Sequence, residues 1–367
     1  MPAPGSLHEV TIQDIAFGGE GVARIDGQVT FIPDVISGER VRIRILSERK
    51  KILQGEAVEI LEASADRVRP LCAVFGRCGG CQYQHIRYPA QLALKTKQVR
   101  DTLIRIGKIE NPPVADTVAS PLEYGYRNKI TVHGRDGLVG FSDRSGRRLV
   151  PLQSCPIARP EVNDQLRDFL KKHKGDDGDF IFRILPKRAG VGPEAFYQTN
   201  TDLIPVMTDM VTRAATTGGA EVLVDAYSGA GLFAFELSPH FARVYAIESE
   251  PKAVEAAHKR AKLSKATNIE FINGSVEGHL TETLAAAQKQ KVCLLLDPPR
   301  AGCTLRAIES VQLLPPAQIV YISCNPSTLA RDLQLLSKQY RLDSVTPLDM
   351  FPQTAHIECV AVLSRRE

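Results

Sequence analysis

The spacing of apolar residues changes twice along the chain and divides it into three segments. Residues 7 to about 63 alternate apolar and polar positions in short runs, which glycines such as Gly18, Gly19 and Gly38 interrupt. A period of two is typical of half-buried strands, and short, evenly spaced strands with glycine-rich turns favour a small barrel. We therefore predict an OB-like β-barrel domain over residues 1–63.

The middle segment, residues 64–190, mixes strand-like runs with one helical stretch. Lys129–His133 and Asp179–Ile184 alternate apolar and polar residues, whereas Pro89–Gly107 has apolar residues near helical spacing and ends in a glycine. The segment also holds four of the eight cysteines. We predict a small α+β central domain here.

In the last segment, residues 191–367, apolar runs as long as strands alternate with glycine-rich turns and helical patterns. This order predicts a doubly wound, Rossmann-like α/β domain. In such a domain ligands bind beyond the carboxyl ends of the parallel strands. Asp297 and Cys324 each follow an apolar run, and Glu358 lies inside another. We expect two carboxylates and a thiol to meet at one edge of the sheet.

Composition and charge narrow the class of protein. The chain has 367 residues, of which 43% are hydrophobic, enough for two or three domain cores. Apolar runs fall well short of the roughly 20 residues that span a bilayer, and the first residues lack the pattern of a secretory signal. We expect a cytoplasmic protein with no membrane role. The net charge is +4, and the cluster Arg40–Arg44 fits either a nucleic-acid backbone or an ordinary solvated face.

The glycine-rich turn of the last segment predicts a nucleotide-type ligand. Gly229 and Gly231 let a ligand approach the backbone closely, and Glu248 ends the next strand, where a carboxylate accepts hydrogen bonds from ribose hydroxyls. A dinucleotide is the competing ligand, but Ala234 replaces the third glycine of its fingerprint, and Asp225 precedes the glycines. An acid there suits a cationic sulfonium with an amino-acid tail. S-adenosylmethionine is therefore favoured over NAD.

Cys324 is the best candidate nucleophile, and its chemistry suits a pyrimidine. A thiolate that adds to carbon 6 of uracil makes carbon 5 able to accept a methyl group. A base must then remove the carbon 5 proton, and Glu358 suits this role because burial raises the pKa of a carboxyl group. A lone cysteine at a strand end is more often a packing residue, and a lone glutamate more often faces solvent. Neither explanation accounts for three such groups at strand ends of one sheet.

The central segment carries a second constellation, made of Cys72, Cys78, Cys81 and Cys155. Three closely spaced thiolates can hold one face of an iron–sulfur cluster, and the fourth can close it. Four cysteines also suit a tetrahedral zinc site, although zinc ribbons usually pair two short Cys-x-x-Cys knuckles. From spacing alone the cluster is slightly favoured and zinc remains open. His85 is expected to be packed or hydrogen-bonded, and the packing cysteines are expected to be Cys293, Cys303 and Cys359.

Several strings together resemble the RNA uracil-C5 methyltransferase family, which forms 5-methyluridine in 23S ribosomal RNA and transfer RNA. The strings are Ile15–Arg24, similar to part of a TRAM domain, the cysteine motif, Phe196–Asn200, Asp225–Gly231, Asp297–Gly302, Ser323–Asp332 and His356–Glu358. The resemblance covers nearly the whole chain. Two departures are Ser228, where many relatives have cysteine, and Thr199, where an aliphatic residue is common.

The resemblance implies specific roles. Cys324 would be the nucleophile and Glu358 the proton acceptor, and the S-adenosylmethionine contacts would be Gln198, Tyr227, Glu248 and Asp297. It also implies a [4Fe-4S] cluster on the four central cysteines and a helix over residues 89–107 that packs with the C-terminal domain. The substrate would be RNA, most simply 23S ribosomal RNA and otherwise transfer RNA. We expect a monomer without an obligate protein partner.

Two other functions remain open at this point. Asp297-Pro-Pro-Arg300 resembles the acidic Pro-Pro motif of enzymes that methylate exocyclic amino groups and need no thiol. The chain could instead be a non-catalytic iron–sulfur protein that binds RNA.

Overall fold

The computed structural model describes residues 2–173, 175, 177–184, 198–264 and 266–366, and these form two compact units. The described part of the first unit comprises residues 2–98, 120–184 and 351–356. The described part of the second unit comprises residues 99–119, 198–350 and 357–366. Both units are therefore assembled from separate stretches of sequence.

The N-terminal part of the first unit is a six-stranded sheet in the order β1-β5-β6-β4-β3-β2. Its strands are β1 (Leu7–Thr11), β2 (Asp14–Ile15), β3 (Gly21–Ile25), β4 (Gln28–Ile32), β5 (Arg40–Arg49) and β6 (Ile52–Glu62). Alternate side chains such as Val41, Ile43 and Ile45 enter one buried core, as the period of two predicts. All six strands lie within the 1–63 segment where we predict a barrel.

The arginines of the Arg40–Arg44 cluster lie on the outward face of this sheet, next to glutamates. Arg40 pairs with Glu62, Arg42 with Glu9 and Glu59, and Arg44 with Glu56, at nitrogen–oxygen distances of 2.5–2.9 Å. Each arginine of this face thus has a glutamate of a neighbouring strand beside it. The structure favours a solvated, internally neutralised face.

Helix α1 (Tyr88–Arg105) continues from the first unit into the second, because Gln98 belongs to the first and Val99 to the second. In the first unit, the Gln91 side chain donates hydrogen bonds to the Ile86 carbonyl at 2.8 Å and to the Gln353 side chain at 2.9 Å. Residue 353 lies far away in sequence. The contact therefore helps to explain why residues 351–356 belong to this unit.

The rest of the first unit is a four-stranded antiparallel sheet with one helix against it. The order is β10-β7-β8-β9, and the elements are β7 (Lys129–Arg135), β8 (Leu138–Ser142), β9 (Leu149–Val150), α2 (Pro160–Lys172) and β10 (Gly178–Arg183). Ile130 and Val132 of β7 pack in one core with Val162 and Leu166 of α2. This is the α+β arrangement that the sequence predicts.

The second unit contains a seven-stranded sheet in the order β13-β12-β11-β14-β15-β17-β16. Its strands are β11 (Val222–Ala226), β12 (Arg243–Glu248), β13 (Ile269–Asn273), β14 (Val292–Leu296), β15 (Gln318–Ser323), β16 (Tyr340–Leu348) and β17 (Glu358–Arg365). The first five strands in this order are parallel, and β17 runs antiparallel between β15 and β16. The predicted doubly wound α/β fold is confirmed.

Helices connect these strands, as parallel neighbours require. They are α3 (Ile204–Thr217), α4 (Leu232–Leu237), α5 (Pro251–Ser264), α6 (Val276–Ala287), α7 (Leu305–Leu313) and α8 (Pro326–Leu336). β11, β14 and β15 are buried along their whole length, which explains why their sequences are continuous apolar runs. Within the described residues, no helix is both long and apolar enough to cross a membrane.

Candidate active site

The glycine-rich turn follows β11 at the carboxyl edge of the parallel sheet. Tyr227, Gly229 and Gly231 have φ angles of 65°, 54° and 78°, the left-handed region that costs a glycine least. These residues turn the chain sharply from β11 into α4, which begins at Leu232. The turn therefore lies at the position where a ligand of an α/β sheet binds.

Glu248 ends the neighbouring strand β12 and holds this turn. Its carboxylate accepts a hydrogen bond from Gly229 N at 2.8 Å and another from Glu250 N at 2.7 Å. One carboxylate thus fixes the end of its own strand and the glycine turn of β11. Its expected contact with ribose stays a prediction.

Asp225, near the end of β11, is 1% exposed. Burial raises the pKa of its carboxyl group well above the usual value, and the nearby carboxylates of Asp297 and Glu248 raise it further. The Ala234 N–H is close enough to oppose this rise but falls short of hydrogen-bond geometry, so neither oxygen of Asp225 has a hydrogen-bond partner among the described residues. A cationic ligand would relieve this buried acid.

Tyr227 is anchored by a residue that the sequence did not single out. Its hydroxyl donates a hydrogen bond to Glu277 Oε1 at 3.2 Å, and Thr304 Oγ1 donates to the same oxygen at 3.0 Å. Glu277 stands in the first turn of α6, where acids are common for helical reasons alone. Nothing in the sequence therefore distinguished it.

The sheet register brings Cys324 and Glu358 to the same edge. Ser323, the last residue of β15, lies opposite Cys359, the second residue of antiparallel β17. Cys324, which follows Ser323, and Glu358, which precedes Cys359, therefore lie next to each other. Cys324 is half-buried, whereas Glu358 is 3% exposed.

Burial raises the pKa values of Glu358, Asp297 and Cys324 at this edge, and neighbouring charges change those of Glu358 and Cys324 further. Burial raises the pKa of Glu358 to about 8, with a further rise from Asp297 that Arg300 opposes. Burial raises the pKa of Asp297 to about 7. The pKa of Cys324 is raised by burial and by Glu358, while Arg300 lowers it. The edge thus favours protonated acids, and Arg300 favours the ionised forms of Glu358 and Cys324.

Hydrogen bonds tie the turn after β15 to the turn after β14. Asn325 Nδ2 and Thr328 Oγ1 donate to the Arg300 carbonyl at 3.1 and 3.3 Å. Asn325 also caps α8, because its Oδ1 accepts from Ser327 N at 3.1 Å. The same residue therefore begins the helix after Cys324 and holds the backbone of Arg300.

Asp332, the last residue of the Ser323–Asp332 motif, lies at the centre of the hydrogen bonds around the turns after β14 and β15. It is fully buried, and its carboxylate accepts from Cys303 N at 2.8 Å, Tyr321 Oη at 2.7 Å and Arg331 Nε at 2.8 Å. Arg331 Nη2 in turn donates to the carbonyls of Ala301 and Cys303. A buried carboxylate thus joins α8, β15 and the segment that follows Arg300.

Gln198 lies in the second unit and is half-buried. Phe196 and Tyr197 of the same motif lie outside the described residues. The role expected for Gln198 stays a prediction.

The four central cysteines lie in the first unit and influence one another. The pKa of Cys81 is raised to about 12, first by burial and then by Cys155 and Cys78, while Gln84 and Arg127 oppose the rise. The pKa values of Cys78 and Cys155 are raised mainly by burial. Within the described ranges, no three His, Cys, Asp or Glu side chains are grouped closely enough to hold a metal ion.

The remaining cysteines and His85 match their expected roles. Cys293, Cys303 and Cys359 are buried. His85 is 1% exposed, its Nε2 is 3.2 Å from the Val35 carbonyl, and its ring tilts against Phe75. Burial lowers its pKa to about 4, which describes a packed, neutral histidine.

The strand order, the glycine turn and the buried acids define a Rossmann-like methyltransferase. A family model described as tRNA (Uracil-5-)-methyltransferase matches residues 190–366, and a TRAM domain model matches residues 3–58. An uncharacterised RNA methyltransferase of Halalkalibacterium halodurans is 32% identical over 441 aligned residues, covering 97% of this chain and 96% of the relative. Another from Caldanaerobacter subterraneus is 32% identical and covers 98% of both.

Among solved structures, the crystal structure of a Pyrococcus abyssi tRNA (uracil-54, C5)-methyltransferase in complex with S-adenosyl-L-homocysteine matches with a TM-score of 0.70. The identity is 24%, and the match covers 97% of this chain and 100% of the other, which shows a shared fold. The chain belongs to the RNA (uracil-5-)-methyltransferase family and is an S-adenosylmethionine-dependent enzyme. Family membership also decides against the amino-methylating and non-catalytic alternatives.

Proposed function

We propose that the enzyme methylates carbon 5 of one uridine through a covalent bond between Cys324 Sγ and carbon 6 of the base. The observation that carries this proposal is the Ser323–Cys359 pairing, which sets the thiol and the Glu358 carboxyl side by side. Neither an amino-methylating site nor a packing role needs these two groups together. A thiol nucleophile with an adjacent proton acceptor needs both.

The chain's own residues account for the bond to carbon 6 and for the proton that leaves carbon 5. Cys324 must ionise to attack, and Arg300 lowers its pKa against the effect of burial. The thiolate adds to carbon 6, which places electron density on carbon 5. Bound S-adenosylmethionine supplies the methyl group. The ionised form of Glu358, which Arg300 favours, then takes the carbon 5 proton, the double bond re-forms, and the thiolate leaves carbon 6.

The buried acids fit the cofactor. Among the described residues, neither oxygen of Asp225 has a hydrogen-bond partner, and a sulfonium cation with a primary amine would favour the ionised form of this buried acid. Tyr227 and Glu248 are held on the same turn, and Asp297 lies close enough to influence Asp225. We propose Gln198, Tyr227, Gly229, Gly231, Glu248 and Asp297 as the cofactor contacts.

We also propose a [4Fe-4S] cluster held by Cys72, Cys78, Cys81 and Cys155. Four thiols are the donor set that such a cluster takes, and these cysteines influence one another's pKa values, although no three described ligand side chains are grouped closely enough to hold a metal ion in this structure. Methylation needs no redox step, so the cluster would stabilise the fold around the thiols. Zinc is the alternative occupant of four thiolates.

A trapping experiment tests the covalent step. RNA carrying 5-fluorouridine should leave a protein–RNA adduct that survives denaturation, because fluorine at carbon 5 cannot be removed as a proton. Peptide mapping should locate the adduct at Cys324, and Cys324→Ala should form none. An RNA that the enzyme methylates but that yields no adduct once fluorinated would contradict the mechanism.

The target uridine is a separate question. We place it in 23S ribosomal RNA, with transfer RNA as the second candidate, the substrate class named for the Pyrococcus protein. Mass-spectrometric mapping of 5-methyluridine in both RNAs, from cells with and without the gene, distinguishes them. The RNA that loses its 5-methyluridine when the gene is deleted is the substrate.

A further inference from the structure

The four-stranded sheet of the first unit has one covered face and one open face. β7 alternates between them, since Ile130 and Val132 enter the core with α2 while the residues between them point away from it. On β10, Phe180 and Phe182 pack against the same core, so the residues that alternate with them point away from it. The open face consists of Lys129, Thr131, His133 and Arg135 on β7, Asp179, Ile181 and Arg183 on β10, and Leu138 on β8.

Two cations oppose each other directly on this face. The register pairs Lys129 with Arg183, and directly opposite residues of an antiparallel pair have Cβ atoms about 4.5–5.5 Å apart. Like charges at this separation destabilise the sheet. No carboxylate of the described residues forms an ion pair with Lys129, Arg183 or Arg135. The carboxylate of Asp179 on β10 lies beside His133 instead, with 2.6 Å between Asp179 Oδ1 and His133 Nδ1. Lys129 and Arg183 therefore carry positive charge that the described residues do not neutralise.

The outward face of the N-terminal sheet shows what a merely solvated arginine face looks like in this protein. There Arg42 and Arg44 each lie within 2.9 Å of a glutamate. Both faces are exposed and both carry arginines on a strand. Of these two faces, only the one on β7 and β10 has two cations directly opposite each other. An anionic partner would stabilise this pair.

Apolar residues interrupt this positive face. Ile181 is 55% exposed and Leu138 is 53% exposed, and both belong to the open side of the sheet. Lys129 and Arg135 lie six residues apart on β7, which corresponds to about 20 Å. Cations and exposed apolar side chains along such a length suit a polymer that has both phosphates and unstacked bases.

We propose that the open face binds a single-stranded stretch of the substrate RNA, with Lys129, Arg183 and Arg135 against phosphates and Ile181 and Leu138 against bases or sugars. The inference rests on the proposed function, because it assumes an RNA substrate, and it extends that function to the residues that hold the RNA away from the reacting uridine. The cations contact phosphates and the apolar side chains stack without reading base edges, so this face gives affinity without sequence preference.

Binding measurements test this face directly. The probe is a fluorescent random-sequence RNA of about 16 nucleotides, and the variant is Lys129→Thr with Arg183→Thr, because threonine is a residue that strands favour. We expect binding roughly tenfold weaker or more, and a salt dependence of log K that is shallower by about 1.4 for two lost phosphate contacts. Lys129→Arg should bind like the unchanged protein.

The matched control is Arg42→Thr with Arg44→Thr, which also removes two strand arginines, but from the neutralised face. It should bind the probe like the unchanged protein, and both variants should keep the circular-dichroism spectrum and thermal midpoint of the unchanged protein, which shows that the first unit is folded. Unchanged RNA affinity in the Lys129 and Arg183 variant, or an equal loss in the control, would overturn the proposal.

Adduct formation separates this inference from the proposed function. The Lys129 and Arg183 variant should still form the 5-fluorouridine adduct, but only at higher RNA concentration, so KM rises while kcat stays near that of the unchanged protein. If both proteins form the adduct at the same concentration, the RNA-binding face is wrong and the covalent mechanism stands. If the unchanged protein forms no adduct with an RNA that it methylates, the covalent mechanism fails instead.

Discussion

Cys359 lies opposite Ser323 across the antiparallel pair of β17 and β15, and this single pairing sets Glu358 beside Cys324. Because β17 runs against its neighbour, its first residue reaches the edge at which the parallel strands end. A shift of one residue would turn each side chain of β17 to the other face of the sheet. The proposed reaction therefore depends on strand register as much as on residue type.

Glu358→Gln should separate addition from release. The amide cannot accept the carbon 5 proton, so the adduct with ordinary uridine should form, receive the methyl group and then persist. Denaturing gels should show a stable protein–RNA band that the unchanged enzyme does not accumulate, and the same band should be absent from Cys324→Ala. Rapid release of methylated RNA by Glu358→Gln would assign proton removal to another group.

Glu358 should also lower the stability of the fold as pH rises. Its pKa is about 8 in the folded protein against a usual value of 4.5, so between these values the folded state holds a proton that the unfolded state has lost, and stability falls. Glu358→Gln removes this effect. Its gain in free energy of unfolding should be near zero below the ordinary pKa and reach up to about 5 kcal/mol above the folded one.

Urea unfolding at about pH 4 and about pH 9 measures this difference. Glu255→Gln is the control, because that glutamate is exposed on α5 and its pKa is lowered by Lys259. It should show no such gain at high pH. Equal stability of Glu358→Gln and the unchanged protein at high pH would show that the carboxyl group is ionised without cost.

Asp332→Asn should slow the reaction without touching the substrate. Asp332 holds Cys303 N, Tyr321 Oη and Arg331 Nε together, and this holds the segment that carries Arg300. Misplacing a charged group by about 1 Å can cost up to a hundredfold in rate. We expect adduct formation between roughly tenfold and a hundredfold slower, with S-adenosylmethionine affinity unchanged.

A pH profile tells this positioning role from a general loss of fold. If Arg300 is displaced, the pKa of Cys324 rises, so the rate of adduct formation should shift its midpoint to higher pH. Asp209→Asn on the surface of α3 pairs with Arg213 in the unchanged protein and serves as control. A slower rate with an unshifted profile would assign Asp332 a role in stability alone.

The metal proposal is tested by anaerobic purification. We expect a brown protein that contains iron and sulfide, and replacing Cys81 or Cys155 by serine should abolish both. Cys324→Ala should keep the colour and lose activity, which separates the cluster from the reaction. Colourless protein with one zinc ion would reassign the four cysteines.

The sequence predicted the fold well because its signals were long and periodic. β11, β14 and β15 are buried throughout, so they appear as continuous apolar runs, and the alternation in β7 and β5 marks one buried face. Glycine placement likewise indicated the turn after β11, where Gly229 and Gly231 adopt positive φ.

What the sequence could not show was pairing between distant side chains. Asp332 and Glu277 are ordinary helix residues until the fold places their partners beside them. Neutralisation of Arg40–Arg44 depends on glutamates of β1 and β6. The opposed cations Lys129 and Arg183 are 54 positions apart and meet only through the register of β7 and β10.

Residues 351–356 close the first unit, where the Gln82 and Tyr83 N–H groups donate to the Gln353 carbonyl and the Tyr126 hydroxyl donates to the Pro352 carbonyl. During synthesis, the ribosome releases the N-terminal end long before it makes these residues. The first unit therefore finishes folding only after residues 351–356 have been translated, and a stop before them leaves it without these hydrogen bonds.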